Sequence, residues 1–280
     1  MPNAAEILTR SLVSHQVDRI FCVPGESYLA AIDALFDAPG IDLVTTRHEG
    51  GASFMAVADA KLTGRAGIMF VSRGPGATNA SIGVHVAAQE AVPMILFIGQ
   101  VAREDLGRGA FQEMDYERFF GSVAKWVTQV TDPDELAGAV NQAFESANGG
   151  TPGPVVGVLP EDMLLDEAKG AEPKAAPEVL PPPGDGEIAE IAKRLSAVQH
   201  PLLIAGGQIG GAQGRTALHA VSESWQVPVA VSWRHQDLFD NTHPNFAAHM
   251  GFNMPGVFSE TLNEADLVLA VGTRLGDVTT

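Results

Sequence analysis

The sequence predicts an α/β fold, with a doubly wound parallel sheet followed by part of a Rossmann-like second domain. Short apolar runs alternate with amphipathic helical patterns over most of the 280 residues, which is typical of parallel strands joined by helices. Residues 160–186 interrupt this alternation and hold six of the 18 prolines. Hydrophobic residues make up 45% and charged residues 18%, the balance of a folded chain that buries a core.

Each element of the first domain has a local signal in the sequence. Runs such as residues 92–98 have no polar side, so their strands are expected to be covered by helices on both faces. Gly64 is expected to end a helix and Pro24-Gly25 to end a strand. The predicted strands are residues 19–23, 41–46, 66–72, 92–98, 123–127 and 155–159, and the predicted helices are residues 3–14, 27–36, 50–62, 77–90 and 133–147.

The alternation restarts after the proline-rich segment. Helices are predicted at residues 187–198 and 212–225, and strands at residues 201–205, 228–232 and 266–271. Three strands make a thin sheet, so the chain is expected to end inside a domain. The predicted organisation is therefore a first domain at residues 1–165, a linker at residues 166–186 and a partial second domain at residues 187–280.

Charge and cysteine content argue against several classes of function. Lys and Arg total 17 against 34 Asp and Glu, a formal charge of −17, which repels nucleic acid and anionic membrane surfaces. No apolar run is long enough to span a membrane, and we expect a cytoplasmic protein. Cys22 is the single cysteine, so an internal disulfide and a thiolate-only metal site are excluded, and a buried core thiol is expected.

Residues 47–52, Arg-His-Glu-Gly-Gly-Ala, are the first candidate site. They place the carboxylate of Glu49 where a predicted strand ends and a helix begins, the edge at which open parallel sheets bind ligands. The small residues after Glu49 would let a flat ring approach the backbone. The alternative is a glutamate that only interacts with the helix dipole.

Two further segments are candidates. Residues 72–79, Ser-Arg-Gly-Pro-Gly-Ala-Thr-Asn, form a glycine turn before a helix, where backbone N–H groups can meet a ligand. This turn is not a dinucleotide fingerprint, because Asn79 replaces the third glycine, and a plain tight turn is the alternative. In the loop at residues 109–113, Gln112 beside Phe111 could line a pocket, and an exposed loop is the alternative.

Taken in order, these segments resemble those of the thiamine diphosphate-dependent enzymes, most closely the acetolactate synthase large subunits. The resemblance also covers Val23-Pro24-Gly25, Gly99-Gln100 and residues 152–155, and extends through residues 201–207, 243–244 and 265–274. It implies that the first domain binds the pyrimidine ring of the cofactor and that the second is the central domain of such an enzyme.

The resemblance also implies roles for single residues. In that family a glutamate at the position of Glu49 hydrogen-bonds the aminopyrimidine and favours the tautomer that removes the thiazolium proton. Gln112 matches an amide of the catalytic pocket, so Glu49 and Gln112 are the expected catalytic residues. The expected cofactor-binding residues are Pro24, Gly25, Glu49, Gly74, Gly76, Asn79, Phe111 and Arg274.

Other parts of the family pattern are missing. The Gly-Asp-Gly and paired Asn that hold Mg²⁺ and the diphosphate have no counterpart, since residues 184–186 lie in the linker and Asp185 is interpreted as a helix N-cap. Mg²⁺ ligands are therefore expected to be absent from this chain, and the irregularly spaced His235, His243 and His249 predict no metal site. Arg274 resembles an FAD-contacting residue, whereas Thr151 replaces a family arginine, so FAD is left open.

The expected activity is decarboxylation of a 2-keto acid followed by carboligation, in a homodimer or homotetramer. Residues 105–108 differ from the commonest family loop and leave the substrate open. Other family members, including decarboxylases and sulfoacetaldehyde acetyltransferase, are alternatives, whereas glyoxylate carboligase is disfavoured because it lacks the glutamate. A non-catalytic nucleotide-binding module or a dehydrogenase is an alternative from another class.

Overall fold

The computed structural model describes residues 1–169, 183–276 and 278–279. The chain divides into two compact units, Met1–Glu178 and Val179–Thr280, and each described sheet is parallel throughout. The predicted α/β class with parallel sheets is confirmed. The proline-rich part of the predicted linker, residues 170–182, lies outside the described residues, so the predicted domain boundaries stay a prediction.

The first unit is a six-stranded sheet with helices on both faces, in the strand order β2-β1-β3-β4-β6-β5. Its strands are β1 (Arg19–Cys22), β2 (Asp42–Thr45), β3 (Gly67–Val71), β4 (Met94–Gln100), β5 (Trp126–Gln129) and β6 (Pro154–Pro160). Its helices are α1 (Ala4–Ser14), α2 (Leu29–Phe36), α3 (Glu49–Thr63), α4 (Pro75–Glu90), α5 (Tyr116–Phe120) and α6 (Leu136–Asn148).

Helices cover both faces of this sheet, which is why its central strands are almost entirely apolar. One core joins the sheet to α1, α2 and α6, and the other joins it to α3, α4 and α5. Every residue of β3 and of β4 is buried. Cys22 lies buried in β1, as the sequence predicts, and burial raises the pKa of its thiol.

Local sequence signals set where the helices begin and end. The Asn3 side chain accepts a hydrogen bond from the Glu6 amide, and the Glu6 carboxylate accepts one from the Asn3 amide, so α1 begins with a capping box. Gly64 ends α3 with φ of 73°, as predicted. Helix α4 begins two residues earlier than predicted, at Pro75, because proline is well suited to the first helical position.

The chain changes direction across the sheet between β1 and β3. From β1 it passes through α2 to β2 on one side, and then through α3 to β3 on the other side. The turns after β1 and β3 therefore meet at the carboxyl edge. A Cβ on Gly25 would lie 2.6 Å from the Cβ of Ser72, so this close approach requires glycine. Such a switch point is where open α/β sheets bind ligands.

The second unit contains a four-stranded sheet in the order β10-β7-β8-β9. Its strands are β7 (Pro201–Ala205), β8 (Val229–Val231), β9 (Phe246–His249) and β10 (Leu267–Val271), and its helices are α7 (Asp185–Ser196), α8 (Ala212–Trp225) and α9 (Gly256–Glu264). No helix among the described residues of either unit is both long and apolar enough to cross a membrane.

Two details of the second unit correct the sequence prediction. The sheet has four strands rather than three, because β9, a short segment with two alanines, is paired with β8. Helix α7 begins at Asp185 with Gly184 as its N-cap, so the interpretation of Asp185 as the N-cap is wrong. The carboxylate of Glu187 accepts a hydrogen bond of 2.9 Å from the Gly184 amide and thereby fixes this start.

Candidate active site

Glu49 lies at the carboxyl edge of the first sheet, where α3 begins after β2. His48 is the N-cap of α3, and its Nδ1 accepts a hydrogen bond of 3.0 Å from the Gly50 amide. The helix start is therefore capped by a side chain other than Glu49. Glu49 is the first residue of α3 and is half-buried, so its carboxylate is free to point across to the neighbouring helix.

The carboxylate of Glu49 contacts α4, the helix that follows the glycine turn. Asn79 Nδ2 donates a hydrogen bond of 2.9 Å to Glu49 Oε2. A Cβ on Gly76 would lie 3.5 Å from Glu49 Oε1, so the glycine leaves the second oxygen more room than a larger side chain would. The structure thus brings together three predicted site residues, and the Asn79 amide fixes one oxygen of the carboxylate.

Close packing of α3 and α4 makes this pair possible. One turn further along both helices, a Cβ on Gly83 would lie 2.3 Å from the Cβ of Ser53. Ser53 is fully buried, and its hydroxyl donates a hydrogen bond of 2.8 Å to the Gly50 carbonyl. A larger residue at position 83 would push the helices apart, so Gly83 determines the separation that Asn79 must span. The sequence analysis did not identify Gly83.

The glycine turn also contacts the loop that carries Gln112. Gly74 has φ of 48°, and a Cβ there would lie 2.6 Å from the Gln112 carbonyl oxygen. The Gly74 amide donates a hydrogen bond of 2.8 Å to Oη of buried Tyr116, and burial raises the pKa of this phenol. Tyr116 therefore holds the turn and the loop together. No motif pointed to Tyr116, which sequence reasoning missed.

A buried arginine joins three elements at the same edge, and it too was missed as a single residue. The side chain of Arg73 forms ion pairs of 2.8 Å with Glu26 and of 2.9 Å with Glu161. Glu26 follows β1 and Glu161 follows β6, so the arginine ties the turn after β3 to the segments that follow these two strands. A lone arginine inside a glycine turn gave no signal for this role.

The loop of Gln112 is closed by the carboxylate of Glu113. Its Oε1 accepts a hydrogen bond from the Gly107 amide and its Oε2 accepts one of 3.1 Å from the Ala110 amide. These backbone donors, with Gly107 first, lower the pKa of Glu113. Gln100 Nε2 donates a hydrogen bond of 3.1 Å to the Met114 carbonyl and ties the loop to the end of β4.

A cavity of about 500 Å³ lies between this loop and strand β5. It is lined by Gln100, Leu106, Gly107, Gly109, Glu113, Met114, Asp115, Tyr116, Glu117, Val127, Thr128, Gln129 and Val158. Phe111 is not among these residues and is 77% exposed. Pro24 is also exposed. Within the described residues of this unit, neither of these two side chains is enclosed, and their predicted cofactor contacts stay predictions.

The second unit has tight turns after β7 and β10. A Cβ on Gly206 would lie 2.5 Å from the Gly272 carbonyl oxygen, and one on Gly207 would lie 2.3 Å from the ring of His235. These glycines are therefore required by close packing between turns. Arg274 follows β10 and is exposed, so its predicted contact with FAD depends on the family resemblance.

Comparison with known protein families shows the family to which this chain belongs. Residues 2–119 match the model described as "Thiamine pyrophosphate enzyme, N-terminal TPP binding domain", and residues 188–280 match the central domain of the same enzymes. The chain belongs to the thiamine pyrophosphate enzyme family. Thiamine pyrophosphate is thiamine diphosphate, so the predicted family is confirmed.

Individual relatives of this thiamine pyrophosphate enzyme chain are named acetolactate synthase. The large subunit of Buchnera aphidicola is 32% identical over 284 residues, with 99% of this chain and 50% of that protein covered. Isozyme 3 large subunit of Escherichia coli is 33% identical over 288 residues, covering 100% and 50%. The mitochondrial catalytic subunit of Saccharomyces cerevisiae is 31% identical over 284 residues, covering 97% and 41%. The chain spans about half the length of these curated relatives.

The residues at the switch point fit the pyrimidine end of thiamine diphosphate. A carboxyl group can exchange a hydrogen bond with a ring nitrogen, and Glu49 is held in place by Asn79 for such a contact. Gly76 leaves space beside the carboxylate. Glu49, Gly74, Gly76, Asn79 and Gln112 all fall within the matched N-terminal domain.

Proposed function

We propose that this chain supplies the pyrimidine-binding and central domains of a thiamine diphosphate-dependent enzyme of acetolactate synthase type. Such an enzyme decarboxylates a 2-keto acid and joins the remaining acyl unit to a second keto acid. The observation that carries the proposal is the Glu49–Asn79 hydrogen bond at the switch point of the first sheet. The names of the relatives support the acetolactate synthase type.

Bound thiamine diphosphate supplies a nucleophilic carbon that attacks keto acids. In our proposal, Glu49 holds and moves a proton at the aminopyrimidine ring nitrogen. Asn79 donates to one carboxylate oxygen, which would leave the other for the ring nitrogen. Gly74 and Gly76 keep the neighbouring turn free of side chains. The loop of Gln112 contacts Gly74, and the side-chain amide of Gln112 donates a hydrogen bond to the substrate.

The test uses a protein that joins this chain to a complete diphosphate-binding domain. With pyruvate we expect acetolactate, and replacement Glu49→Gln should lower the rate by about 10²–10⁴, the usual contribution of an acid–base group. Glu104→Gln, at an exposed carboxylate of the same unit, should leave the rate unchanged. Release of acetaldehyde alone would favour a decarboxylase, and turnover of sulfoacetaldehyde an acetyltransferase. Equal rates in both variants would remove Glu49 from the mechanism.

Mg²⁺ and FAD are two further cofactors of the proposed enzyme. We propose that Mg²⁺ and the diphosphate are held by residues outside the part of the protein that the structure describes. Asp185, the acidic residue of Gly184-Asp185-Gly186, lies exposed in the first turn of α7. FAD is proposed for the second unit through Arg274 alone. Flavin fluorescence of the purified protein should decrease in Arg274→Ala and stay unchanged in Lys193→Ala, an exposed cation on α7.

We also propose a homodimer or homotetramer with apolar contacts through α3 and α4. Phe54 and Met55 of α3 and Ile82 of α4 are exposed apolar side chains, and such patches mark association surfaces. Sedimentation of the chain at high micromolar concentration should show a dimer or larger species. The pair of changes Phe54→Glu and Ile82→Glu should yield monomers, whereas Phe36→Glu, on α2 and the opposite face of the sheet, should not. A monomeric parent chain would contradict this arrangement.

A further inference from the structure

Three potential metal ligands converge in the second unit. His219 and Glu223 lie one turn apart on α8, and His243 comes from the segment before β9. One ligand atom from each lies within 4.8 Å of the others. His243 Nε2 and Glu223 Oε1 are 3.4 Å apart. The irregular spacing of His235, His243 and His249 predicted no metal site, since the crossing of α8 and the segment of His243 is not visible in the spacing.

Packing holds both imidazole rings in place. The His219 ring is stacked on Phe239 with ring centroids 4.1 Å apart, and Phe239 is buried. The ring of His243 meets the same phenylalanine edge to face at 5.2 Å. One buried aromatic side chain therefore packs against both histidines and restricts the motion of their rings.

We propose that His219, Glu223 and His243 form a binding site for a divalent transition-metal ion of the Zn²⁺ type. Zn²⁺ takes histidine nitrogen and carboxylate oxygen at about 2.0–2.2 Å, which separates two tetrahedral ligands by about 3.4 Å. The Glu223–His243 pair already has this separation, and a ligand atom of His219 lies within 4.8 Å of both. A water molecule would complete four-coordination. Two imidazoles disfavour Mg²⁺ and Ca²⁺, which prefer oxygen ligands.

The hydrogen bonds of the two rings indicate the strength of binding. The Asp240 amide donates to His219 Nε2 over 3.4 Å, a long contact that is easily given up. The Asn245 amide donates to His243 Nδ1 over 3.0 Å, so His243 carries its proton on Nε2. Metal binding through Nε2 requires this proton to move to Nδ1 and breaks the bond from Asn245. We therefore expect micromolar affinity rather than the tight binding of a preformed site.

The experiment is calorimetric titration of the 280-residue chain with Zn²⁺ alone, followed by Co²⁺ as a spectroscopic probe. The parent chain should bind one equivalent at this site and give visible Co²⁺ absorption of four-coordinate type. His219→Ala, His243→Ala and Glu223→Gln should each weaken binding about tenfold or more, since each removes one of three protein ligands. His200→Ala, an exposed histidine of the same unit, should bind like the parent.

Glu223→Gln is the ligand variant that should stay folded, because the Glu223 side chain is 62% exposed and its replacement changes only the charge. At one Zn²⁺ concentration near the dissociation constant of the parent, Zn²⁺ should raise the melting temperature of the parent chain and of His200→Ala more than that of Glu223→Gln. Absence of Zn²⁺ binding by the parent chain would overturn the proposal. Equal binding by the parent and the three ligand variants would overturn it as well.

Discussion

The side-chain amide of Asn79 donates a hydrogen bond of 2.9 Å to Oε2 of Glu49, thirty residues earlier in the chain. Glu49 opens α3 and Asn79 lies in the second turn of α4. The two helices follow different strands, β2 and β3, which are separated in the sheet by β1. The bond therefore spans the switch point and links two helices that the sheet order places side by side.

Asn79→Ala tests what this bond does for Glu49. A hydrogen bond to a charged group contributes about 1.5 kcal/mol. Its loss should therefore lower turnover about tenfold in a protein with a complete diphosphate-binding domain. Since Asn79 is exposed, the free energy of unfolding should change by less than about 0.5 kcal/mol. Thr78→Ala, the neighbouring exposed position, is the control. Unchanged turnover in Asn79→Ala would show that Glu49 acts without this partner.

Gly83→Ala tests the separation of α3 and α4. The new methyl group would overlap Ser53, and overpacking of this kind costs about 1–3 kcal/mol of the free energy of unfolding. Gly138→Ala is the matched control, because Gly138 lies exposed in α6 with open space around its Cβ position. There alanine should stabilise the protein by about 0.4–1 kcal/mol. Urea denaturation measures both changes, and stabilisation by Gly83→Ala would refute the close packing.

The loop carrying Gln112 should loosen at acid pH. The backbone donors of Gly107 and Ala110 lower the pKa of Glu113 in the folded state. This carboxylate therefore contributes stability that is fully present above its unfolded pKa of about 4.3 and is lost as pH falls through the folded value. Glu113→Gln should be less stable than the parent at neutral pH, and the difference should shrink in acid. Glu117→Gln controls for removal of one acidic charge, and a difference independent of pH would contradict the role of Glu113.

The 280-residue chain alone should bind thiamine diphosphate weakly and without help from Mg²⁺. Glu49, Gly76 and Asn79 serve the pyrimidine end, whereas the charge of the cofactor lies on its phosphates and the chain carries a formal charge of −17. Mg²⁺ usually binds through one or two carboxylates together with the phosphates. Calorimetry with and without Mg²⁺ measures the affinity. Micromolar binding that requires Mg²⁺ would reveal a phosphate site in this chain.

Much of the fold could be predicted because burial on both faces leaves a plain signal. Strand β3, and β4 as far as Gly99, are apolar since helices cover both sides of the sheet. Strand β9 and helix α9 were missed. In β9 only Ala248 is buried, so this strand depends on pairing with β8 rather than on its own composition. Helix α5 has only five residues, too few for a helical pattern to be recognised.

The sequence by itself determined the turns and the residues they carry. Pro24-Gly25, Glu49 and Gly74-Pro75-Gly76 follow apolar runs, and strand ends of a parallel sheet share one edge, so a common site was predictable. Only the tertiary structure decided which side chains touch. The hydrogen bond from Asn79 to Glu49 and the meeting of His243 with α8 depend on strand order and helix packing. Strand order and helix packing are set by contacts between residues distant in the chain, and the local periodicity of the sequence does not indicate these contacts.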